Sequence, residues 1–546
     1  MRSFFAELKR RNVFGAMAFY AAAGWLLVQV ATQVLPFYDV PGWVVRVVIA
    51  GVVVGFPFAM VLSWFYEWTP RGWRRDRDAP GAIADGKHGA IATDQSIAVL
   101  PFIDMSAHKD QEYFSDGLAE ELLNLLAQLP QLRVIARTSS FSFKGKNADV
   151  ATIARALHVA TVLEGSVRKS GNTLRITAQL IRAIDSSHLW SQTYDRELVD
   201  VFQVQDEIAR AVVEALKVKL LPKQHVTNLH RTGSTEAYDQ FLLGQDVLRR
   251  GRYDDFQRAL AAFERAVALD PHFAAAQAAR ASAQSAVADF APDAAARSAG
   301  KRDALATAEQ AVALAPDLAD GYVIRGRLRM AQSWDWAGAE ADFQQALLLE
   351  PNNADVLILH ALLLNNLQRT DEAIAMIRRV VEADPLSWMA WMFLGAVLGR
   401  AGRWDEGRGA LERALEISPD SSFTRHELGC LELVQGRTEA ALAHFRLAGA
   451  AFSQSGIAMA EHTLGDARAS QAALDELESK YAAGFLFQIA QVHAWRGHRE
   501  AAFAALERAC AQRDTGIARL RGDLILDRLK DDPRYAALVR KIGFPQ

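Results

Sequence analysis

The segment at residues 136–146, ARTSSFSFKGK, concentrates the residue types that could bind an anion. Hydroxyl groups and cationic nitrogens donate hydrogen bonds to phosphate or carboxylate oxygens, and the positive charge strengthens those bonds. The alternative is a solvated loop between a strand and a helix, and the residues alone leave both possibilities open. The members of this candidate anion or ligand loop are Arg137, Ser139, Ser140, Lys144 and Lys146.

Signatures of catalysis are missing from the remaining sequence. It contains no G-x-x-x-x-G-K-[ST] phosphate loop, no H-E-x-x-H metal motif and no G-x-S-x-G nucleophile turn. The 13 histidines show no metal-ligand spacing, and 2 cysteines exclude a disulfide scaffold and a C-x-x-C site. We therefore predict no catalytic residue, no cofactor, no metal and no enzyme activity. A net charge of −3 gives no reason to expect nucleic-acid binding.

The candidate loop lies in a stretch where strand and helix patterns alternate. Leu174, Ile176, Ala178 and Leu180 alternate with polar residues, which is typical of a strand with one buried face. The predicted order is strand, helix, strand, helix, three strands and helix, at residues 96–105, 113–130, 132–137, 149–159, 161–198 and 201–220. This order predicts an α/β domain over residues 96–222.

Six segments of this domain resemble, in order, the TolB-like amino-terminal domain, which is related to the FlgO family. They are SIAVLPF, EYFSDGL, LRVIARTSSFSFKGK, VLEGSVRKSGNTLRITAQLI, HLWSQTYDREL and VFQVQDEIA. The resemblance implies an accessory role in signalling or interaction, without catalytic residues. In related chains a winged-helix DNA-binding domain or a class III nucleotidyl cyclase domain precedes a similar module. About 12 residues precede the first predicted membrane span here, so we expect neither output domain.

A proline recurs every 34 or 35 residues in the second half of the sequence, at Pro316, Pro351, Pro385 and Pro419. A period near 34 is typical of stacked helix pairs, and the unit before Pro419 resembles the tetratricopeptide repeat (TPR). Small residues let the two helices approach closely, and the closing proline cannot continue a helix. The predicted structural residues of this unit are Trp391, Leu394, Gly395, Gly402, Ala414 and Pro419.

The repeats predict an all-α solenoid of about seven or eight helix pairs over residues 233–514. The larger gap between Pro271 and Pro316 predicts an insertion near residues 286–300. Residues 515–546 resemble the capping segment that ends such arrays, because the last repeat would otherwise expose its apolar face. Solenoids of this kind bind partners along a concave face, so a protein or peptide partner is expected.

Two apolar runs near the beginning of the chain are long enough to cross a bilayer. Residues 13–35 hold no charge, and residues 43–66 hold one, Arg46. Because the connector between them is short, they predict a helical hairpin within residues 1–75, followed by a linker at 76–95. Positive residues flank both ends of the hairpin, which predicts that the N-terminus and the soluble domains are cytoplasmic.

Gly51 and Gly55 form a small-xxx-small pair that permits close helix packing, either against the first span or between two copies of the chain. A homo-oligomer is therefore possible. The segments FFAELKRRNVF and FPFAMVLSWFYEWTPRGWRR also resemble those of bacterial TPR membrane proteins that carry a TolB-like domain.

Together these patterns predict a multidomain protein: a two-helix transmembrane hairpin, an α/β TolB-like domain and an all-α TPR solenoid. The predicted function is a non-enzymatic scaffold or adaptor in the bacterial inner membrane, with a role in signalling or assembly. One alternative is a ligand sensor, in which the α/β domain binds a small anionic molecule and the array relays the signal. A membrane enzyme acting on a lipid or polymer is a further alternative, for which we find no polar constellation.

Overall fold

The computed structural model describes residues 66–69, 72–75, 95–216 and 232–545, except the single residues 130, 147, 292 and 483. Residues 1–91 and 92–546 form two separate units. Both predicted spans, with Gly51 and Gly55, lie outside the described residues, apart from Tyr66. Among the described residues, no helix combines the length and the apolar character needed to cross a bilayer. The membrane hairpin therefore stays a prediction.

In the first unit the structure describes a two-stranded hairpin. Strand β1 (Tyr66–Thr69) pairs antiparallel with β2 (Gly72–Arg75), and Trp68 lies opposite Trp73 in the register. The second predicted span ended at Tyr66, so its last residue belongs to this strand instead.

The second unit begins with the α/β domain. Its strands are β3 (Ser96–Val99), β4 (Ile103–Asp104), β5 (Arg133–Val134), β6 (Thr161–Ser170), β7 (Thr173–Arg182) and β8 (His188–Glu197). They form a sheet of the order β5-β3-β6-β7-β8, in which β4 continues the pairing with β6 beyond β3. Strands β6, β7 and β8 are antiparallel neighbours, whereas β3 is parallel to both β5 and β6. The helices of the domain are α1 (Glu112–Ala127), α2 (Arg137–Phe141), α3 (Val150–Leu157) and α4 (Val201–Ala215).

Two predicted strands differ from the structure. The run at 96–105 is interrupted after Val99, where Pro101 has no N–H to donate to a neighbouring strand. The run at 132–137 pairs only at Arg133–Val134, because the chain turns into α2 at Arg137. The alternation in β7 is confirmed, since its apolar residues are buried under α1 and α4.

Eight helix pairs follow between Thr235 and Ala511 in the part of the chain that the structure describes. The pairs are α5 (Thr235–Leu248) with α6 (Tyr253–Leu269), α7 (Ala274–Ala288) with α8 (Ala294–Leu314), α9 (Ala319–Leu328) with α10 (Trp336–Leu349), α11 (Ala354–Asn366) with α12 (Thr370–Ala383), α13 (Trp388–Arg400) with α14 (Trp404–Ile417), α15 (Ser422–Val434) with α16 (Thr438–Leu447), α17 (Ala450–Leu464) with α18 (Ala467–Tyr481), and α19 (Leu486–Trp495) with α20 (Arg499–Ala511).

The repeat residues explain why each pair closes. In pair 5, Gly395 faces Gly407 and Leu411 so closely that a Cβ atom would lie 2.8 Å from the Gly407 carbonyl oxygen. Gly402 has a φ of 74°, the left-handed conformation that the turn between the two helices requires. The long gap between Pro271 and Pro316 corresponds to α8, which has 21 residues.

A C-terminal segment follows the last pair. It contains two 3₁₀ turns, Thr515–Gly522 and Leu526–Leu529, and the helix α21 (Pro533–Lys541). Helix α21 covers α20 of the last pair, with Arg534 bonded to Glu500 at 2.7 Å. Residues 515–532, before α21, instead run along first helices of the array, where they contact α13, α15 and α19.

Candidate binding cavity

The first helices of the pairs lie side by side and form one surface, which we call the inner face. In TPR arrays this is the concave surface that holds partners. The structure divides it into two parts. One part is covered by the C-terminal segment, and the other faces the α/β domain across a cavity.

The C-terminal segment fills the inner face of pairs 6 to 8 and, in pairs 4 and 5, the part near the C-terminal ends of α11 and α13. Arg400 of α13 donates to the carbonyl oxygens of Arg521 at 2.6 Å and Asp523 at 3.2 Å, and it forms an ion pair with Asp527 at 2.6 Å. Further along the face, Gln491 of α19 donates to the Asp523 carboxylate at 2.7 Å. The buried apolar residues of the segment include Ile517, Leu520, Ile525, Leu526, Leu529, Leu538, Ile542 and Phe544. A segment with this much buried apolar surface is part of the array's core, so it closes these pairs to an extended partner.

The inner face of pairs 1 to 3, and in pairs 4 and 5 the part formed by the N-terminal halves of α11 and α13, is not filled in this way. A cavity of about 390 Å³ lies over the first helices α5, α7, α9, α11 and α13. Its walls combine apolar side chains such as Phe241, Val323 and Ile358 with the charged residues Asp320 and Arg327.

The α/β domain lies over this part of the inner face. Between α1, β5 and α5 on one side and the ends of α11, α12 and α13 on the other is a cavity of about 1100 Å³. The two cavities share the lining residues Gln245, Leu248, Asp355, Ile358 and Met389, so we treat them as one and call it the interdomain cavity. Ligand sites for small molecules have volumes of this order.

A cluster of charges crosses the α/β side of the interdomain cavity. The Glu120 carboxylate of α1 accepts from Arg137 at 2.9 Å and from Arg249, next to α5, at 3.1 Å. Burial lowers the pKa of Arg249, and the Glu120 carboxylate opposes this effect. One carboxylate shared by two arginines leaves an excess of positive charge at this wall.

On the array side, carboxyl groups outnumber the arginines Arg327 and Arg379. Asp320 is exposed to the interdomain cavity, but the protein around it displaces bulk water and raises its pKa to about 7. The Glu350 carboxylate adds to this rise. Asp355 also has a raised pKa, first because of its enclosure and then because of the negative charge of Glu120, while Arg327 opposes the rise. The cavity therefore has a cationic wall and an acidic floor.

The structure does not bring the five residues of the candidate anion loop together on one surface. Arg137 lines the interdomain cavity, but the other four have separate partners. Ser140 donates to the Ile135 carbonyl oxygen at 3.5 Å, and Lys144 pairs with Asp116 at 2.6 Å and Glu112 at 2.8 Å. Lys146 lies 5.6 Å from the centre of the Phe143 ring. Anion binding by this loop stays a prediction.

Ser139 has a role that the sequence did not indicate. It is buried, and its N–H donates to the Asp384 carboxylate of the array at 3.0 Å. Its hydroxyl donates to the same carboxylate and accepts from the N–H of Leu386 at 2.8 Å. Asp384 immediately precedes Pro385, one of the recurring prolines. The proline spacing therefore indicates the turn where the contact lies, but it does not predict that Ser139 binds there.

Sequence reasoning also missed the charged residues of the inner face. Asp320, Arg327 and Asp355 lie on first helices whose neighbouring residues are mostly apolar or small. A charged residue among apolar ones on a first helix could have indicated a solvent-accessible inner face, because burying an unpaired charge in a core is unfavourable.

Two family models match parts of the chain. One is described as tetratricopeptide repeat and matches residues 358–422. The other is described as the second domain of HilA/YgeH-like transcriptional regulators and matches residues 93–211. The second match spans the α/β domain under a different description from the TolB-like one, which stays a prediction.

One similar protein is “Putative adenylate cyclase 3” from Rhizobium meliloti, which is 39% identical over 214 residues. The match covers 39% of this chain and 36% of the relative's length, so this chain spans about a third of that protein.

Two solved TPR structures are also similar. PilW, a type IV pilus biogenesis factor, is 20% identical with a TM-score of 0.32, covering 37% of this chain and 93% of PilW. A tetratricopeptide repeat protein from Parabacteroides merdae is 14% identical with a TM-score of 0.37, covering 49% of this chain and 100% of that one. The repeat model shows that the chain contains a tetratricopeptide repeat at residues 358–422, which lies within the eight described helix pairs, and this array follows an α/β domain.

Proposed function

We propose that this protein is a membrane-tethered scaffold that holds a segment of a partner protein in the interdomain cavity. The observation that carries the proposal is the division of the inner face. Pairs 6 to 8 and the C-terminal ends of α11 and α13 are filled by the C-terminal segment, whereas pairs 1 to 3 and the N-terminal ends of α11 and α13 present a cavity with apolar walls and charges on both sides. A signalling or assembly role is part of the proposal.

The capture of partners from membrane extracts tests the site. Met389 lines the interdomain cavity and is 43% exposed, so Met389→Lys changes the site without burying a charge in the core. We expect it to lose the partners that the wild-type chain retains. The matched control is Leu348→Lys, at a residue that is 76% exposed on a second helix, which should retain them. If both variants retain the same partners, the inner face is not the binding element.

The membrane part of the proposal is supported by the apolar runs at 13–35 and 43–66 and by their flanking positive charges. Both ends of the hairpin would then be cytoplasmic. An alkaline phosphatase fusion after residue 90 should be inactive, since this enzyme needs an oxidising compartment for its disulfides. An active fusion would reverse the orientation.

The ligand sensor is a second candidate, favoured by the volume of the interdomain cavity and by Arg137 at its cationic wall. A thermal shift with inorganic phosphate or ATP tests it. We expect either probe to raise the melting temperature of the wild-type protein and to have little effect on Arg137→Ala. No shift for the wild type would remove this candidate.

A further inference from the structure

We propose that the α/β domain acts as a lid on the interdomain cavity, hinged where α1 and α4 meet α5 and held closed by the contact between Ser139 and Asp384. The inference rests on the proposed function, because it concerns access to the same cavity. It depends on the difference between the two contacts that join the α/β domain to the array, one on each side of the cavity.

The hinge contact is a continuous apolar core. Leu242 of α5 lies so close to Gly117 of α1 that a Cβ atom there would be 2.6 Å from the Leu242 Cδ2 atom. The rings of Phe202 and Tyr238 meet edge to face, with their centroids 4.6 Å apart. Apolar residues of the sheet, of α1 and α4, and of the first helix pairs belong to a single buried cluster. Separating the two domains here would expose a large apolar surface.

Polar contacts add to the hinge. The Tyr113 hydroxyl donates to the Asp239 carboxylate at 3.0 Å, and Lys169 forms an ion pair with the same carboxylate at 3.0 Å. Gln205 donates to the Tyr238 hydroxyl at 2.9 Å. These bonds fix the orientation of α5 against the α/β domain.

The contact on the opposite side, which we call the latch, is much smaller. It includes the Ser139 bonds to Asp384 and Leu386 described above, a side-chain bond between Thr138 and Asp384, and one backbone bond, from the Ala136 N–H to the Ala383 carbonyl oxygen at 3.2 Å. Leu386 is the array residue that packs against the apolar cluster around α3. A few hydrogen bonds contribute far less than a shared apolar core, so the latch opens before the hinge does.

The geometry relates this difference to access. Ala136 and Asp384, at the latch, line the interdomain cavity from opposite sides. Leu248 of α5, one of the hinge helices, also lines this cavity. When the latch separates, the cavity widens at the edge formed by β5, α2 and the turn between α12 and α13. A partner segment can then enter while the apolar core at the hinge stays intact.

The test measures how fast a maleimide carrying polyethylene glycol labels the variant Met389→Cys, at a position that lines the cavity. Cys430 and Cys510 are replaced by alanine in this background, because both native thiols are buried and neither is needed for the assay. Asp384→Ala should make labelling about tenfold faster, since losing buried hydrogen bonds shifts an opening equilibrium by about that factor. An unchanged rate would overturn the proposal. Ser139→Ala gives the same test if circular dichroism shows that Asp384→Ala does not fold.

The matched control removes a hydrogen bond from the hinge. Tyr113→Phe loses the bond to Asp239, and the labelling rate at position 389 should stay unchanged. Equal acceleration by Tyr113→Phe and Asp384→Ala would contradict the assignment of hinge and latch. A reporter at Leu348→Cys on the outer surface should react at the same rate in every variant. Because the assay contains no partner, its outcome is independent of the capture experiment with Met389→Lys, and either proposal can fail alone.

Discussion

The indole ring of Trp336 stacks on the ring of Phe544, with centroids 4.4 Å apart and ring planes 12° apart. The indole N–H also donates to the Ile542 carbonyl oxygen at 3.1 Å. Trp336 begins the second helix of pair 3, whereas Phe544 follows α21, so this contact joins the middle of the array to the end of the C-terminal segment. Both rings are buried.

Phe544→Ala should lower the free energy of unfolding by about 3 kcal/mol, because it removes a buried ring and leaves a cavity. The double variant Phe544→Ala with Trp336→Ala should lose about 1 kcal/mol less stability than the sum of the two single losses. This difference is the coupling free energy expected of an aromatic pair. Urea denaturation measures all three variants. Phe290→Ala is the control, since that ring is 54% exposed, and it should cost no more than about 1 kcal/mol. Strict additivity would contradict the stacking contact.

Gly395→Ala should destabilise pair 5 by about 1–3 kcal/mol, because the new Cβ would lie 2.6 Å from the Leu411 Cγ atom and 2.8 Å from the Gly407 oxygen. The backbone oxygen cannot move away without shifting α14. Gly409→Ala is a matched control in α14, where a Cβ would meet nothing within 4 Å. It should stabilise the protein by up to about 1 kcal/mol, because alanine favours a helix more than glycine does. If Gly395→Ala is neutral in thermal denaturation, the close approach of α13 and α14 is wrong.

His426 should make the protein less stable in weak acid. Burial lowers the pKa of this histidine to about 4, and the positive charge of Arg519 adds to the effect. The unfolded chain binds a proton near pH 6.5, whereas the folded chain does not, so stability is complete above pH 6.5 and falls as the pH falls towards 4. The full difference corresponds to about 3 kcal/mol.

Urea denaturation at pH 8, 6 and 4.5 checks the effect of His426. His426→Gln should lose less stability than the wild type between pH 8 and 4.5, whatever the buried carboxylates contribute to both proteins. Parallel pH profiles for the two proteins would show that the imidazole is not kept neutral.

Glu432 connects two successive pairs through a buried carboxylate. It accepts from Arg408 of α14 at 2.5 Å and from Arg437, just before α16, and it is 2% exposed. Glu432→Gln should lower the free energy of unfolding by about 2 kcal/mol, since two charge-assisted bonds weaken and two partly buried arginines lose their counter-charge. Glu416→Gln breaks an exposed pair with Arg413 and should cost at most about 0.5 kcal/mol. If urea denaturation gives similar losses of unfolding free energy for Glu432→Gln and Glu416→Gln, burial does not make the ion pairs of Glu432 more stabilising than an exposed pair.

The sequence predicted the TPR solenoid and the α/β order because both depend on short-range periodicity. Proline spacing marks the ends of pairs 1 to 5, and the alternation in β7 marks its buried face. The limits of β5 were less predictable, because the residues after Val134 can extend a strand or begin a helix. The array decides between them, since the Ser139 N–H in the first turn of α2 is bonded to Asp384.

The interdomain cavity could not be predicted in the same way. The residues that define it, Glu120 with Arg249 or Ser139 with Asp384, are separated by 129 and 245 positions. Their approach depends on the curvature of the array, to which every helix pair adds a small rotation. The charged residues on the first helices indicate an inner surface from the local sequence. The opposite wall belongs to the α/β domain, and no residue near those helices in the sequence indicates it.

The stacking of Trp336 on Phe544 has a consequence for synthesis on the ribosome. Pair 3 and the C-terminal segment share one apolar core, so the middle of the array cannot finish packing until residue 544 has emerged. We expect nascent chains stalled before the segment to be cut by protease within pairs 3 to 8, while released chains resist. Equal protease resistance of stalled and released chains would mean that pairs 3 to 8 finish packing without the C-terminal segment.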